Sequence, residues 1–198
     1  MSALVLASAS RIRALLLERA GLAVSRDPAG IDEAEIKSSF RDAGRDVAGC
    51  AMALAEAKAA HVAPRHPGAL VLGADQLLVC GDDWLDKPAD LAAARGQLQR
   101  LRGQRHELVT AVALRRDDRV VWRRIERPAL LMRDFSDAFL EAYLAAAGDS
   151  VLGAVGAYQL EASGIQLFAR IEGDYFSILG LPLLPLLDFL RGAGALAA

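Results

Sequence analysis

The chain has 198 residues, of which 54 % are hydrophobic and 24 % charged, and its formal net charge is -2. This length and composition suit one domain, or two small lobes that share a core, and they exclude a disordered chain. The slightly acidic balance argues against broad binding to nucleic-acid phosphates. The two cysteines, Cys50 and Cys80, form neither a CxxC pair nor a disulfide framework, so a reducing cytoplasm is expected.

Two apolar stretches are candidates for a targeting or membrane segment, and neither has the required pattern. Met1 to Ala9 is small and apolar, but basic residues follow it instead of preceding it, which is the reverse of a secretory signal. Phe176 to Leu187 is interrupted by glycine and two prolines and is too short to span a bilayer. We therefore expect a soluble protein with no membrane partner.

The hydrophobic periodicity and the turn residues predict a mixed α/β fold. In chain order the predicted strands are Leu4–Ala7, Val24 to the Asp27–Pro28 turn, Leu70–Val79 with a hairpin to Trp84–Leu85, His106–Arg115, Arg119–Met132 and Ile165–Ile171. The predicted helices are Arg11–Ala20, Asp46–Val62, Asp90–Leu101, Asp137–Ala147 and Leu181 to Arg191. Gly156–Glu161 is predicted to be a loop, and Gly173–Tyr175 a turn.

A serine-rich turn joins the first strand to the first helix. Ser8 and Ser10 are candidate helix caps, and the free N–H groups of the helix start make a natural anion site. Arg13, in the first turns of the helix, is placed to reach the same anion. The alternative is an ordinary capped helix with a solvated arginine.

A lone carboxylate, Asp75, lies between the apolar runs Leu70–Leu72 and Leu77–Val79. Aspartate is disfavoured in strands and costly to bury unpaired, so Asp75 needs a cation, a metal or several donors. The alternative is a turn or capping aspartate. Glu33 is a candidate metal or water ligand, or else part of the acidic first turn of a helix.

Lysine is rare in this chain. Of 23 basic residues only Lys37, Lys58 and Lys87 are lysines. A lysine retained where arginine is the default suits a compact point charge. Chance is the alternative, and Lys58 also lies late in a predicted helix, where a cation is favoured by the helix dipole.

Several chemistries lack their motifs. There is no Walker A pattern, GxGxxG after a strand, HExxH, zinc-ligand spacing or GxSxG elbow. What remains is a set of carboxylates and cations: Glu33, Asp75, Glu161, Arg13, Lys58 and Lys87. Carboxylates that hold Mg²⁺, together with cations that hold phosphate oxygens, are what phosphoryl or nucleotidyl chemistry requires.

Collinear motifs over nearly the whole chain resemble the Maf family of nucleoside triphosphate pyrophosphatases. The matching segments are Leu4 to Arg13 with Leu15–Leu16, Glu33, Leu54 to Ala59, Gly73–Asp75, Asp86–Pro88, His106 to Leu114 with Thr110, Gly156–Tyr158, Gly173–Tyr175 and Gly180–Pro182. One such motif would be weak, but several in order are specific.

The resemblance implies a two-lobed α/β fold, similar to inosine triphosphate pyrophosphatases, in which residues 1–198 form one catalytic domain with a central cleft. It implies metal-dependent hydrolysis, with Mg²⁺ or Mn²⁺, of a nucleoside triphosphate to the monophosphate and pyrophosphate in a house-cleaning role. Homodimers are common in the family. The essential acid maps to Asp75, with Glu33 as a second metal ligand. Substrate-binding positions map to Ser8, Arg13, Lys58 and Lys87.

Three positions associated with base choice fall on Ile12, Gln76 and Glu161. Gln76 and Glu161 resemble the branch that hydrolyses 7-methyl-GTP, whereas Ile12 matches neither that branch nor the dTTP/UTP branch. The family's Ser-x-Ser-Pro-Arg-Arg is replaced here by the sequence from Ser8 to Arg13, which keeps only the second arginine.

The resulting hypothesis is that Asp75 either ligates a metal or accepts the proton of a metal-bound water that attacks the α-phosphorus. An alternative function is a regulatory nucleotide-binding protein that acts on cell division, since the family was named for an effect on septum formation. RNA binding along the arginine-rich strand from Arg115 to Arg133 is a third interpretation, and a solvated sheet edge explains those arginines more simply.

Overall fold

A computed structural model describes residues 3–197. Over this range the strands are β1 (Leu4–Leu6), β2 (Val24–Arg26), β3 (Leu70–Cys80), β4 (Asp83–Leu85), β5 (Arg105–Arg116), β6 (Arg119–Glu126), β7 (Ala129–Met132) and β8 (Phe168–Glu172). The α-helices are α1 (Arg11–Arg19), α2 (Glu33–Asp42), α3 (Val47–Val62), α4 (Leu91–Leu101), α5 (Asp137–Ala147), α6 (Tyr175–Ile178) and α7 (Leu183–Gly192). Short 3₁₀ helices lie at Ala63–Arg65, Gly148–Gly153, Val155–Ala157 and Ser163–Leu167.

The strands form one mixed sheet. Its main order is β2-β1-β3-β5-β7-β8, while β4 pairs with β3 and β6 pairs with β5. Strand β1 is parallel to both β2 and β3, and β4, β6, β7 and β8 pair antiparallel with their neighbours. This mixed sheet with its helices confirms the predicted α/β class.

The chain divides into two compact units, in agreement with the predicted two lobes. Among the described residues the first unit comprises 3–76, 110–126 and 180–197, and the second comprises 77–109 and 127–179. Strands β3 and β5 each run through both units. The assignment of residues 1–198 to one catalytic domain stays a prediction.

In the first unit the parallel strands and helix α3 share a closely packed core. The side chains there are small or β-branched and nearly inaccessible to solvent, as at Val5, Ala59 and Val71. A Cβ added to Gly73 would lie 2.0 Å from the backbone oxygen of Ala55. Glycine at position 73 therefore allows β3 to lie directly against α3, which is what positions the candidate site.

The structure corrects two predicted strands. The segment Arg119–Met132 is two strands, β6 and β7, because Pro128 lacks the N–H that a continuous ladder requires. The segment Ile165–Ile171 begins as a 3₁₀ helix that ends at Leu167, and extended structure starts only at Phe168. Gly164 in that helix lies so close to the backbone of Gln159 that a Cβ there would come within 2.5 Å of a carbonyl oxygen.

Smaller differences occur at the ends of elements. Strand β2 stops at Arg26, before the predicted Asp27–Pro28 turn. The predicted turn at Gly173–Tyr175 leads into α6, whose first turn is capped by the Asp174 carboxylate. The final helix begins at Leu183, after Pro182. Within residues 3–197, no helix is long and apolar enough to cross a membrane.

Candidate active site

The parallel part of the sheet places several predicted site residues at one edge. Strand β1 lies between β2, which follows it in the chain, and β3, which comes later. In such sheets ligands bind outside the carboxyl ends of the strands, where the chain switches from one side of β1 to the other. Ser8 follows β1, and Glu33 follows β2 as the first residue of α2. Asp75 lies within β3, three residues beyond Leu72, the last residue of β3 that pairs with β1.

The Lys58 ammonium forms ion pairs with two of these residues, Asp75 and Glu33. Its Nζ lies 2.7 Å from Asp75 Oδ1 and 2.8 Å from Glu33 Oε1. The Lys58 and Asp75 side chains are 9 % and 8 % exposed, whereas Glu33 is 42 % exposed. The position of Lys58 near the end of α3 is therefore not explained by the helix dipole alone, because its charge is held in a buried ion pair.

The second oxygen of Asp75 has a different environment. Asp75 Oδ2 is buried and accepts no hydrogen bond from any residue in the described range 3–197. A buried carboxylate oxygen without a donor is unfavourable, and such atoms in native structures call for an explanation such as a water or an ion. This oxygen is thus suited to a bound cation or to the proton of a water molecule.

The Glu33 and Asp75 carboxylates fit two of the ligand positions of a divalent cation, with water and phosphate oxygens as the other ligands. Both carboxylates lie within ion-pair distance of a single atom, Lys58 Nζ, so their oxygens are close together. The described residues contain no group of three or more His, Cys, Asp or Glu suited to hold a metal by itself. Mg²⁺ often takes only one or two protein carboxylates and completes its shell with water and substrate phosphates.

Arg13 is buried and tied to three segments of the first unit. Its Nε donates to Gly180 O at 2.8 Å, and its Nη1 donates to Ser8 Oγ at 3.1 Å and to Ala74 O at 2.9 Å. Burial lowers the pKa of Arg13, while the nearby charges of Asp75 and Glu33 act to raise it. The alternative of a solvated arginine is wrong, and Arg13 holds the peptide that precedes Asp75.

The two serines of the turn have separate roles. Ser10 caps α1, since its side chain accepts from the Arg13 backbone N–H at 3.4 Å. Ser8 is buried, and its Oγ accepts from the Ser10 backbone N–H at 3.2 Å as well as from Arg13. Two backbone N–H groups of the helix start are therefore bonded to serine side chains, and the buried charge of Arg13 lies beside them. The anion site at this turn stays a prediction.

Gln76 follows Asp75 directly, so its side chain leaves the strand on the opposite side. Gln76 Nε2 donates to Thr110 Oγ1 of β5 at 2.7 Å, and Thr110 is completely buried. Ile12, another predicted specificity position, is half-buried in the first turn of α1. Both positions belong to the first unit.

The remaining predicted residues belong to the second unit. Lys87 follows β4 and is exposed, with the buried Pro88 after it, and Glu161 is exposed in the segment between two 3₁₀ helices. The first unit thus brings together Ser8, Arg13, Glu33, Lys58 and Asp75.

The sequence alone does not indicate the role of three features of the site. Gly73 permits the close contact of β3 and α3, and the carbonyl oxygens of Ala74 and Gly180 accept from Arg13. Gly180 has φ +93° and lies so close to Arg13 that a Cβ would meet its Nε at 3.0 Å. Both glycines occur in segments that resemble the family, but only the packing gives the reason for them.

Comparison with known proteins shows the family to which the chain belongs. A family model described as "Maf-like protein" matches residues 3–193. The chain is 53 % identical to a nucleoside triphosphate pyrophosphatase of Paramagnetospirillum magneticum, over 97 % of this chain and 99 % of the relative. It is 51 % identical to one of Rhodospirillum rubrum, over 99 % of each chain. A 7-methyl-GTP pyrophosphatase of Mesorhizobium japonicum is 48 % identical, over 98 % of this chain and 97 % of the relative. The chain belongs to the Maf-like protein family.

Proposed function

We propose that this protein hydrolyses a nucleoside triphosphate to the monophosphate and pyrophosphate, with Mg²⁺ or Mn²⁺, and removes a modified or non-canonical nucleotide. The names of relatives that share about half of its residues confirm the coarser prediction of a nucleoside triphosphate pyrophosphatase. The observation that carries the finer proposal is the buried Asp75, with one oxygen held by Lys58 and the other without a donor among the described residues.

The charges of the site suit a triphosphate. A bound triphosphate carries about four negative charges, which need several cations around them. Arg13 and Lys58 supply two in the first unit, and Lys87 is proposed as a third. A divalent cation at Glu33 and Asp75, when bound, offsets phosphate charge and lowers the pKa of a coordinated water.

The residues of the chain have distinct parts in this proposal. Lys58 fixes Asp75 Oδ1 and leaves Oδ2, which would hold a divalent cation or accept the proton of a water molecule when either is bound. Glu33, being more exposed, is the second carboxylate at the solvent side of the pair. Arg13 holds Ala74 O and thereby the backbone of the catalytic residue.

Base choice is assigned to Gln76, Glu161 and Ile12. Because the Asp75 and Gln76 side chains leave β3 on opposite sides, they contact different parts of a nucleotide, with the phosphates at Asp75 and the base at Gln76. Gln76 and Glu161 favour a guanine-type base. Ile12 supplies no aromatic ring to stack on a cationic methylated base, so a broader base preference is expected than in enzymes that have one.

Pyrophosphate release from a panel of ordinary and modified nucleoside triphosphates, with Mg²⁺, with Mn²⁺ and with a chelator, tests this function. We expect release of pyrophosphate and not of single phosphates, loss with the chelator, and a preference for 7-methyl-GTP over UTP and dTTP. The reverse preference would contradict the base assignment alone. Nucleotide binding without pyrophosphate release would instead favour the regulatory role in cell division. We further expect a homodimer located in the cytoplasm. Light scattering of the purified protein measures the oligomeric state.

A further inference from the structure

Thr110 is a buried polar residue for which the proposed reaction has no use. It lies in the middle of β5 and is completely inaccessible to solvent. Buried hydroxyl groups in native proteins are nearly always hydrogen-bonded, since an unpaired one is unfavourable. Its Oγ1 accepts a 2.7 Å hydrogen bond from Gln76 Nε2. A buried, rigid strand residue therefore holds a side chain that is itself only half-buried.

The Gln76–Thr110 hydrogen bond joins two neighbouring strands of the sheet. Gln76 is the last residue of the first unit before β3 enters the second, and Thr110 is the first residue of the first unit on β5. The two strands are neighbours in the sheet. Glutamine has three side-chain torsions before its amide, and without a partner it samples many positions. The Thr110 hydroxyl removes that freedom at the amide group.

We propose that Thr110 is a positioning residue for base selection: it holds the Gln76 amide where it discriminates between bases, without contacting the substrate itself. The proposal rests on the proposed function and on Gln76 as a base contact. Discrimination by hydrogen bonds depends on a polar group that stays in place, because a mobile group adapts to the wrong base. Thr110 should thus affect the ratio of activities between bases more than the activity itself.

The test uses the full chain and compares kcat/KM for 7-methyl-GTP and UTP in wild type, Thr110→Val and Thr110→Ser. Valine has the shape of threonine without its hydroxyl and suits a strand. Because one neutral hydrogen bond is lost, we expect the ratio between the two substrates to move about 3- to 10-fold toward unity in Thr110→Val. Thr110→Ser, which keeps the hydroxyl, should restore most of the ratio.

A double-mutant cycle with Gln76→Ala separates positioning from a general structural effect. In the Gln76→Ala background, Thr110→Val should leave the ratio unchanged within about twofold, since the group to be positioned is absent. A further shift in that background, or an unchanged ratio in Thr110→Val alone, would overturn the proposal. A wild-type protein that releases no pyrophosphate from any triphosphate would instead refute the proposed function. Thermal unfolding of each variant verifies that it is folded.

Discussion

The ammonium of Lys58 lies 2.7 Å from the Asp75 carboxylate, and both side chains are buried. One residue is on α3 and the other on β3, so the contact requires the helix and strand to lie directly against each other. Gly73 makes that possible, two residues before Asp75 on the same face of the strand. The packing of the first unit and the placement of its candidate catalytic group therefore depend on the same close approach.

Replacement of the central carboxylate should stop the reaction. Asp75→Asn keeps the shape of the side chain but removes the negative charge that a metal or an attacking water needs. We expect the rate of pyrophosphate release to fall by about 100-fold or more, the usual range for loss of a general base. The matched control is Asp82→Asn in the exposed turn after β3, which should stay within about twofold of wild type. A variant at position 75 that kept most of its activity would refute the assignment.

The two ion pairs of Lys58 should differ in their contribution to stability. Lys58→Met leaves Asp75 buried without its cation, which costs roughly 3–5 kcal/mol when one partner of a buried pair is removed. Glu33→Gln removes a pair whose carboxylate is 42 % exposed, so the cost should be about 1 kcal/mol or less.

Urea unfolding followed by circular dichroism measures both free energies of unfolding. Equal losses in the two variants would contradict the assigned burial of the Lys58–Asp75 pair. In the activity assay Glu33→Gln should still lower turnover, because Glu33 is the proposed second metal ligand. Its loss should be partly offset by a higher metal concentration, a response that a purely structural residue would not give.

A methyl group at position 73 should destabilise the protein. In Gly73→Ala the new Cβ meets the backbone oxygen of Ala55 at 2.0 Å, so β3 and α3 must separate. We expect a loss of about 2 kcal/mol or more, as in other overpacked cores. Gly96→Ala is the matched control, because Gly96 is exposed within α4 and has open space around it. There alanine should stabilise by about 1 kcal/mol through helix propensity. A neutral Gly73→Ala would show that helix and strand are not in contact.

His106 should make stability depend on pH. Its ring is buried, and burial lowers its pKa from 6.5 to about 4. The unfolded chain binds this proton more readily than the folded chain. The contribution of neutral His106 to the free energy of unfolding is therefore fully present above pH 6.5 and is lost as the pH falls from 6.5 toward 4. The contribution is on the order of 3 kcal/mol. His106→Gln, measured by urea unfolding at pH 7 and pH 5, should lose much less on acidification than wild type. The same pH dependence in both proteins would contradict this prediction.

His106 also contributes to the structure of the segment that precedes Glu161 in the second unit. Its Nε2 lies 2.9 Å from the hydroxyl of Tyr158, and the Phe168 ring packs on Tyr158 edge-to-face with centroids 4.9 Å apart. Tyr143 donates to Ala157 O at 3.2 Å. Buried aromatic side chains therefore hold the segment that leads to Glu161 through contacts with Ala157 and Tyr158. The sequence predicts this segment only as a loop.

The sequence by itself determined the secondary structure class and the chemical type of the site. Strands and helix ends depend mainly on interactions between residues that are close in the sequence. Short apolar runs and helix caps such as Ser10 and Asp90 therefore predict them, and the absence of other motifs narrows the type of chemistry. The isolated Asp75 between apolar runs indicated a charge that needs a partner, for the same reason. Pro128 within the predicted strand Arg119–Met132 was the local signal for a break.

Only the tertiary structure decided which partner each group has. Lys58 is distant from Glu33 and Asp75 in the sequence. It forms ion pairs with both carboxylates because α3 packs on β3 in the folded protein. The place of Arg13 in the first turns of a helix predicts contact with an anion or with solvent, yet its side-chain donors reach Ser8, Ala74 and Gly180, of which the last two are distant in the sequence. The Thr110–Gln76 bond depends on the neighbouring positions of β3 and β5 in the sheet. Such pairings between distant segments have no signal in a single sequence, because they arise from how elements pack and not from the residues beside them.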